Sequence, residues 1–180
     1  EAAELEKANE HICRLWGKNA QGYRSPSWDL SPSTIELLLE QGFFYDSSMM
    51  GNDHLPYWAR LGDAIYEDKP VKFGKPTKLL EMPISWTLDD YPHFEFVRDK
   101  SLILPGLAPA AGVLQNWLND YIYMSSNEDW GILTYTFHPY VIGRGHRMLI
   151  LEQLIDALIE LGAEFMTMMD AATAFTKRKP

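Results

Sequence analysis

At 180 residues the chain is long enough for one domain with a real core, since domains usually run about 100 to 200 residues; 46% hydrophobic and 23% charged residues make a globular balance and exclude a disordered or collagen-like chain. The formal net charge of -9, from 16 basic against 25 acidic residues, repels a phosphate backbone, and Lys177, Arg178 and Lys179 form only a short basic end, so a nucleic-acid partner is not expected. The single cysteine, Cys13, excludes an internal disulfide and is expected in the core; no stretch approaches the ~18 to 20 apolar residues of a membrane span and no leader pattern opens the chain, so a cytoplasmic protein is expected.

Leu5, Ala8, Ile12, Leu15 and Trp16 recur at helical steps, and Gly17 follows where a left-handed cap would sit. The spacing predicts an amphipathic first helix. The chain opens at Glu1 inside that helix, without an initiator methionine, and an upstream segment is expected. Residues 22–26 read as a short extended piece. Ser31-Pro32 then predicts the start of a second helix, with Ile35, Leu38 and Leu39 inward and Gly42 as its stop.

Phe43, Phe44 and Tyr45 predict a short strand ending at Asp46, and residues 49–78, rich in Gly, Pro and charge, read as one long ordered loop. A buried strand is expected over residues 79–85, a polar and aromatic excursion over 86–96, and a helix over 112–124. Residues 132–137 alternate and are β-branched or aromatic, which predicts a central strand ending at His138. Met148, Leu151, Leu154, Ile155, Leu158 and Ile159 form the clearest helical stripe, closed by Gly162; a short strand (164–166) and a last helix (170–176) finish the chain. Strands alternating with helices predict an α/β fold with mainly parallel strands.

Reactive side chains in such folds gather at the C-terminal ends of strands. Those ends carry Arg24, Asp46, Glu81 and His138, with Asp53, His54, Asp89, Asp90 and His93 on adjoining loops. His138 is the strongest candidate, because histidine as a residue type can donate a proton to a leaving amine near neutral pH, with Glu81 as the carboxylate expected to orient its far nitrogen. A histidine satisfied by a backbone carbonyl fits the residue type as well. Arg24, on a turn stiffened by Pro26 beside Trp28, suits a carboxylate partner; a surface arginine capping a loop is the plainer alternative. Asp89, Asp90 and His93 have ligand chemistry but no zinc spacing, so no metal site is assigned within the chain, and Asp53 with His54 is no stronger. His146 is expected to begin a helix and His11 to lie on a helix surface. Phosphate-cradling glycine loops, paired cysteines, His-Glu-x-x-His and Gly-x-Ser-x-Gly are all absent from the sequence.

The segment Tyr23-Arg24-Ser25-Pro26-Ser27-Trp28 resembles the Arg-x-Pro-x-aromatic motif of the polysaccharide deacetylases of carbohydrate esterase family 4. Gly42-Phe43-x-Tyr45-Asp46-Ser47-Ser48 follows at the family's spacing, and Thr136-Phe137-His138-Pro139 with Gly143-Arg144 resembles its late histidine motif. Glu81-Met82-Pro83-Ile84-Ser85-Trp86, with Asp89-Asp90-Tyr91-Pro92, is similar to the branch that holds a peptidoglycan deacetylase, metal-independent allantoinases and cyclic imide hydrolases.

The resemblance runs from about residue 1 to 175 and implies the C-terminal portion of a distorted (β/α)7-type barrel that hydrolyses a C–N bond. It implies His138 as the acid, Glu81 tuning it, and Arg24 orienting a base aspartate. The substrate side would be formed by Trp28, Asp46, Asp53, His54, Trp86, Asp89 and Asp90. The family's early Asp-Asp pair and His-x-x-x-His motif have no counterpart here, so residues 1–180 are expected to be the C-terminal half of a catalytic domain. The base, and any divalent zinc, would come from an N-terminal half on the same or a separate chain, and a homo-oligomer is expected because half a barrel leaves strand edges open. The alternative is a non-catalytic carbohydrate- or protein-binding remnant whose aromatic walls stack on sugars.

Overall fold

The computed structural model describes residues 1–101 and 103–178, so Lys179 of the basic end lies outside the described residues. The chain divides into two compact units, Glu1–Pro83 with the C-terminal segment from Met166, and Ile84–Phe165.

The first unit opens with α1 (Ala2–Trp16), which Gly17 ends at φ 79° as its sequence predicts. Its burial is narrower than the stripe implied: Leu5 and Asn9 are buried, Ile12, Leu15 and Trp16 are exposed, and Cys13 is half-buried. Strand β1 (Gly22–Tyr23) follows, then a 3-10 turn (Pro26–Trp28) and α2 (Thr34–Glu40). The second helix begins later than Ser31-Pro32 suggests, because the Thr34 hydroxyl takes the Ser31 N–H and closes a turn ahead of it.

Strand β2 (Tyr45–Asp46) pairs in parallel with β1 on one side and with β4 (Lys75–Glu81) on the other. A Cβ at Gly22 would stand 2.0 Å from the Tyr45 ring, so glycine there lets that ring lie over β1. The expected long loop is partly regular. Tyr57–Leu61 forms β3, an antiparallel edge to β4, and the sheet order is β1-β2-β4-β3. Ala59 faces inward while Trp58 and Arg60 face out, a period-two pattern too short to stand out among glycines and prolines. The connection is tied by Asp63, which accepts from Arg60 Nε at 3.1 Å and Gly74 N at 2.7 Å. The sheet is open, as a portion of a barrel would give. Leu5, Ile35, Leu38, Phe43, Ala59 and Leu79 form its core, and α7 (Met168–Lys177) completes the unit.

In the second unit a 3-10 turn (Trp86–Leu88) runs into α3 (Asp90–Phe94), capped by Asp89, whose carboxylate accepts the Tyr91 N–H at 2.7 Å. A small hairpin of β5 (Val97–Arg98) and β6 (Ile103–Leu104) leads to α4 (Ala110–Asn127). Residues 132–137 do not form the expected central strand. Among the described residues their pairing is one parallel bridge, Asp89 to Thr136, because a ladder needs an extended neighbour and residues 88–90 offer one for a single step. Residues 164–166 likewise have no assigned strand.

His138 precedes α5 (Pro139–Ile142), and α6 (Gly145–Glu160) supplies the long stripe, with Ile150, Leu154 and Leu158 buried and Gly162 ending it at φ 86°. Trp117, fully buried on α4, anchors this core: its ring meets Phe94 and Phe137 edge-on at centroid distances of 6.3 and 5.6 Å. No helix among the described residues is long and apolar enough to cross a membrane.

Candidate active site

His138 is held from two directions by one carboxylate. Its backbone N–H donates to Asp90 Oδ2 at 3.0 Å, and its Nδ1 lies 2.7 Å from Asp90 Oδ1. Asp90 is fully buried while the imidazole is 35% exposed. An ionised carboxylate only accepts, so Nδ1 carries the proton in this contact and Nε2 is the nitrogen left for chemistry.

The two segments are laced together beside the dyad, with Asp90 N donating to Thr136 O at 3.0 Å and Thr136 N to Leu88 O at 2.9 Å. Below them, Trp117 Nε1 donates to Thr87 O at 2.9 Å and the Tyr135 hydroxyl to Trp117 O at 2.9 Å. Buried Arg147, on α6, donates to Val141 O of α5 at 2.8 Å and Phe94 O of α3 at 3.2 Å. Its guanidinium therefore joins the short helices that follow Asp90 and His138. The rings of Tyr91 and Tyr140 flank the imidazole at 5.6 and 5.8 Å.

Glu81 does not orient His138, contrary to the expectation from sequence. Its Oε1 accepts the N–H groups of Ser48 at 2.8 Å and Met49 at 2.7 Å, and the imidazole nitrogen it was expected to hold belongs to Asp90. From sequence the orienting residue reads as a substrate-side residue with ligand chemistry, not as the partner of His138. Its signal was the position of the Asp89-Asp90 doublet at the start of a helix, where a carboxylate is rigidly aimed. Arg147 gave no signal, since a buried arginine on an otherwise apolar helix face reads from sequence as solvated.

Asp89 Oδ1 lies 3.8 Å from His138 Nδ1, and burial holds its carboxyl above the usual carboxylate range. Asp89, Asp90 and His138 thus offer three ligand atoms within 4.8 Å of one another. The arrangement forms a hydrogen-bonded dyad whose three groups could also hold a metal ion. Two ligands on one tetrahedral zinc with bonds of about 2.0 to 2.1 Å stand roughly 3.3 Å apart, whereas 2.7 Å is a hydrogen-bond length and both Asp90 oxygens already accept from His138. His93, the other ligand candidate, has Nε2 at 2.9 Å from Thr87 O.

In the first unit Arg24 follows β1, its Nε donating to Ser47 O at 3.1 Å and Nη2 to Ser47 Oγ at 2.8 Å. Ser27 and Trp28 take φ values of 54° and 57°, a left-handed pair that non-glycine residues rarely adopt and that costs of order 1 to 3 kcal/mol each. Half-buried Trp28 is thereby presented on a strained turn. Asp46 is fully buried beside Glu81. Asp53 is exposed, and His54 N and Leu55 N donate to Asn52 Oδ1 in a local turn. Trp86, in the second unit, is 42% exposed.

The chain is 34% identical to the peptidoglycan deacetylase of Helicobacter pylori over 98% of its own length and 64% of that protein. Among solved structures it superposes with a TM-score of 0.77 and 29% identity on a Mycobacterium smegmatis protein described as a polysaccharide deacetylase, covering 97% of this chain and 56% of that one. The structure of Puue allantoinase matches with a TM-score of 0.70 over 96% of this chain and 51% of its own, at 22% identity, a likeness of fold. No protein-family model matches the chain.

The chain is similar in sequence and in fold to the polysaccharide deacetylases, with an α/β fold of mainly parallel strands. It spans between about half and two thirds of the length of these relatives.

Proposed function

We propose that this chain carries the proton-donating part of an amide-hydrolysing site, acting on an N-acetylated sugar or a small cyclic amide. The observation that carries the reading is the His138–Asp90 contact at 2.7 Å, joining a fully buried carboxylate to an imidazole that keeps an exposed face. Deacetylation breaks a C–N bond, and the departing nitrogen must be protonated as it leaves. Asp90 fixes the ring by two hydrogen bonds and stabilises the imidazolium, so that Nε2 can deliver that proton. A 34% identical peptidoglycan deacetylase supports a glycan as the substrate.

Arg24 orients the aspartate that acts as base, a residue we assign to the part of the enzyme outside this sequence, on the same or a separate chain. Any divalent ion the reaction uses is assigned there too, where it would act as a Lewis acid on the carbonyl. Half-buried Trp28 in the first unit and the exposed indole of Trp86 in the second are each suited to stacking on a sugar ring. Acetate release from N-acetylglucosamine oligomers, and ring opening of allantoin, measured on the complete enzyme, test the reading. His138→Ala is expected to lower turnover about 10²- to 10⁴-fold, the usual span of general acid catalysis. Full turnover in that variant would rule out the acid role.

A further inference from the structure

We infer that Asp46 and Glu81 hold one proton between Asp46 Oδ2 and Glu81 Oε2, and that this pair is the positioning device for Arg24. The positioning half rests on the role given to Arg24 above; the shared proton does not.

Asp46 and Glu81 are direct partners in the parallel β2–β4 pairing, which sends both side chains to one face of the sheet. Both are fully buried. One oxygen of each is accounted for: Glu81 Oε1 accepts Ser48 N and Met49 N, and Asp46 Oδ1 accepts the Ser48 hydroxyl at 2.8 Å. The remaining oxygens, Asp46 Oδ2 and Glu81 Oε2, are buried and have no hydrogen-bond partner among the described residues, although the register sets the two residues side by side. Two anions so placed would repel in a medium that solvates neither, whereas a single proton turns the contact into an O–H···O⁻ bond and satisfies both oxygens.

Glu81 keeps that proton. Burial first, and then the Asp46 charge, push its carboxyl up to about 9. Of the other titratable or charged groups nearby, Tyr57 on β3 interacts with both carboxyls and with Arg60, and Tyr45 on β2 interacts with Arg24 beyond β1. Tyr57 is itself pushed up to about 12 by burial and by Glu81, so it stays neutral and does not supply a counter-charge.

The pair clamps the turn that follows Asp46. Ser48 gives its N–H to Glu81 and its hydroxyl to Asp46, and that hydroxyl accepts Ser25 N at 2.9 Å. Ser47 N donates to Tyr23 O at 3.1 Å, and Ser47 O and Oγ receive the guanidinium. Both neighbours of Arg24 in the chain are therefore tied to the turn the two carboxyls fix. The proton sets where the guanidinium points without touching it.

The folded-state pKa of Glu81 lies above its ordinary 4.5, so its contribution to stability is full at low pH and drains away as pH rises toward 9. The full chain is expected to lose on the order of 5 °C or more in Tm between pH 5 and 9, and to show the infrared carbonyl band of a protonated carboxylic acid at neutral pH. Glu81→Gln puts a permanent donor opposite Asp46 and keeps an acceptor for Ser48 and Met49. It should remove the band and flatten the slope. Persistence of both in that variant overturns the shared proton; if the variant fails to fold, Asp46→Asn is read in the same way. In the complete enzyme Glu81→Ala, which removes the acceptor for Ser48 N and Met49 N as well as the partner of Asp46, should lower kcat about 10-fold or more with little change in KM, and Glu81→Gln should restore it. Unchanged kcat in Glu81→Ala overturns the positioning role. Should Arg24→Ala leave turnover intact, the role given to Arg24 fails instead, and the infrared result still decides the proton.

Discussion

Asp90 and Glu81 are both carboxylates with no exposed surface, and the contrast between their surroundings shows how partner and not burial decides what a buried acid does. Asp90 meets hydrogen-bond donors, spends both oxygens on His138, and leaves an imidazole with an exposed face. Glu81 meets a second carboxyl, has one oxygen pinned by backbone N–H groups, and keeps a proton that never reaches solvent. The first arrangement leaves the imidazole open to solvent, as the proposed acid role requires. The second serves only to hold shape.

Three substitutions sharpen or break that contrast, beyond the loss expected in His138→Ala. Trp117→Ala should be the most damaging. It empties the centre of the second core and removes the donor to Thr87 O, costing about 3 to 5 kcal/mol in chemical denaturation. Activity should fall with it, since Thr87 leads into Asp89 and Asp90 and Phe137 leads into His138; a variant of unchanged stability would show that Trp117 does not support the dyad. Asp90→Asn keeps the shape but removes the charge that stabilises the imidazolium. Turnover should drop roughly 10- to 100-fold, equivalent to the ~1.5 to 3 kcal/mol of a hydrogen bond to a charged group, and Tm should move little. A comparable loss in Glu81→Gln would erase the distinction between the two acids. Asp53→Ala is the smallest: the residue is exposed and outside both clusters, so stability should stay within about 0.5 kcal/mol, and a drop in kcat/KM would move Asp53 back to the substrate side.

Local chemistry was legible in the sequence. Gly17, Gly42 and Gly162 end helices in left-handed geometry where their spacing predicts, the strand that leads into Arg24 and the strand that carries Asp46 lie parallel, and His138 stands just before a short helix. What was not legible was pairing. The strand over residues 57–61 has too few residues to reveal itself until β4 lies beside it, and the run over 132–137 has the right residues for a strand but only one bridge among the described residues.

The residues that carry the chemistry were therefore set by the sequence, because side-chain type and short-range backbone preference are properties of neighbours a few positions apart. Which acid meets which base was decided by tertiary structure. Asp90 and His138 stand 48 positions apart, and the long-range pairing that includes the Asp89–Thr136 bridge brings the 2.7 Å contact about; the register of β2 on β4 sets Glu81 against Asp46 instead. A hydrogen bond is decided over less than an ångström, and no pattern along the chain fixes distances that fine between segments so far apart.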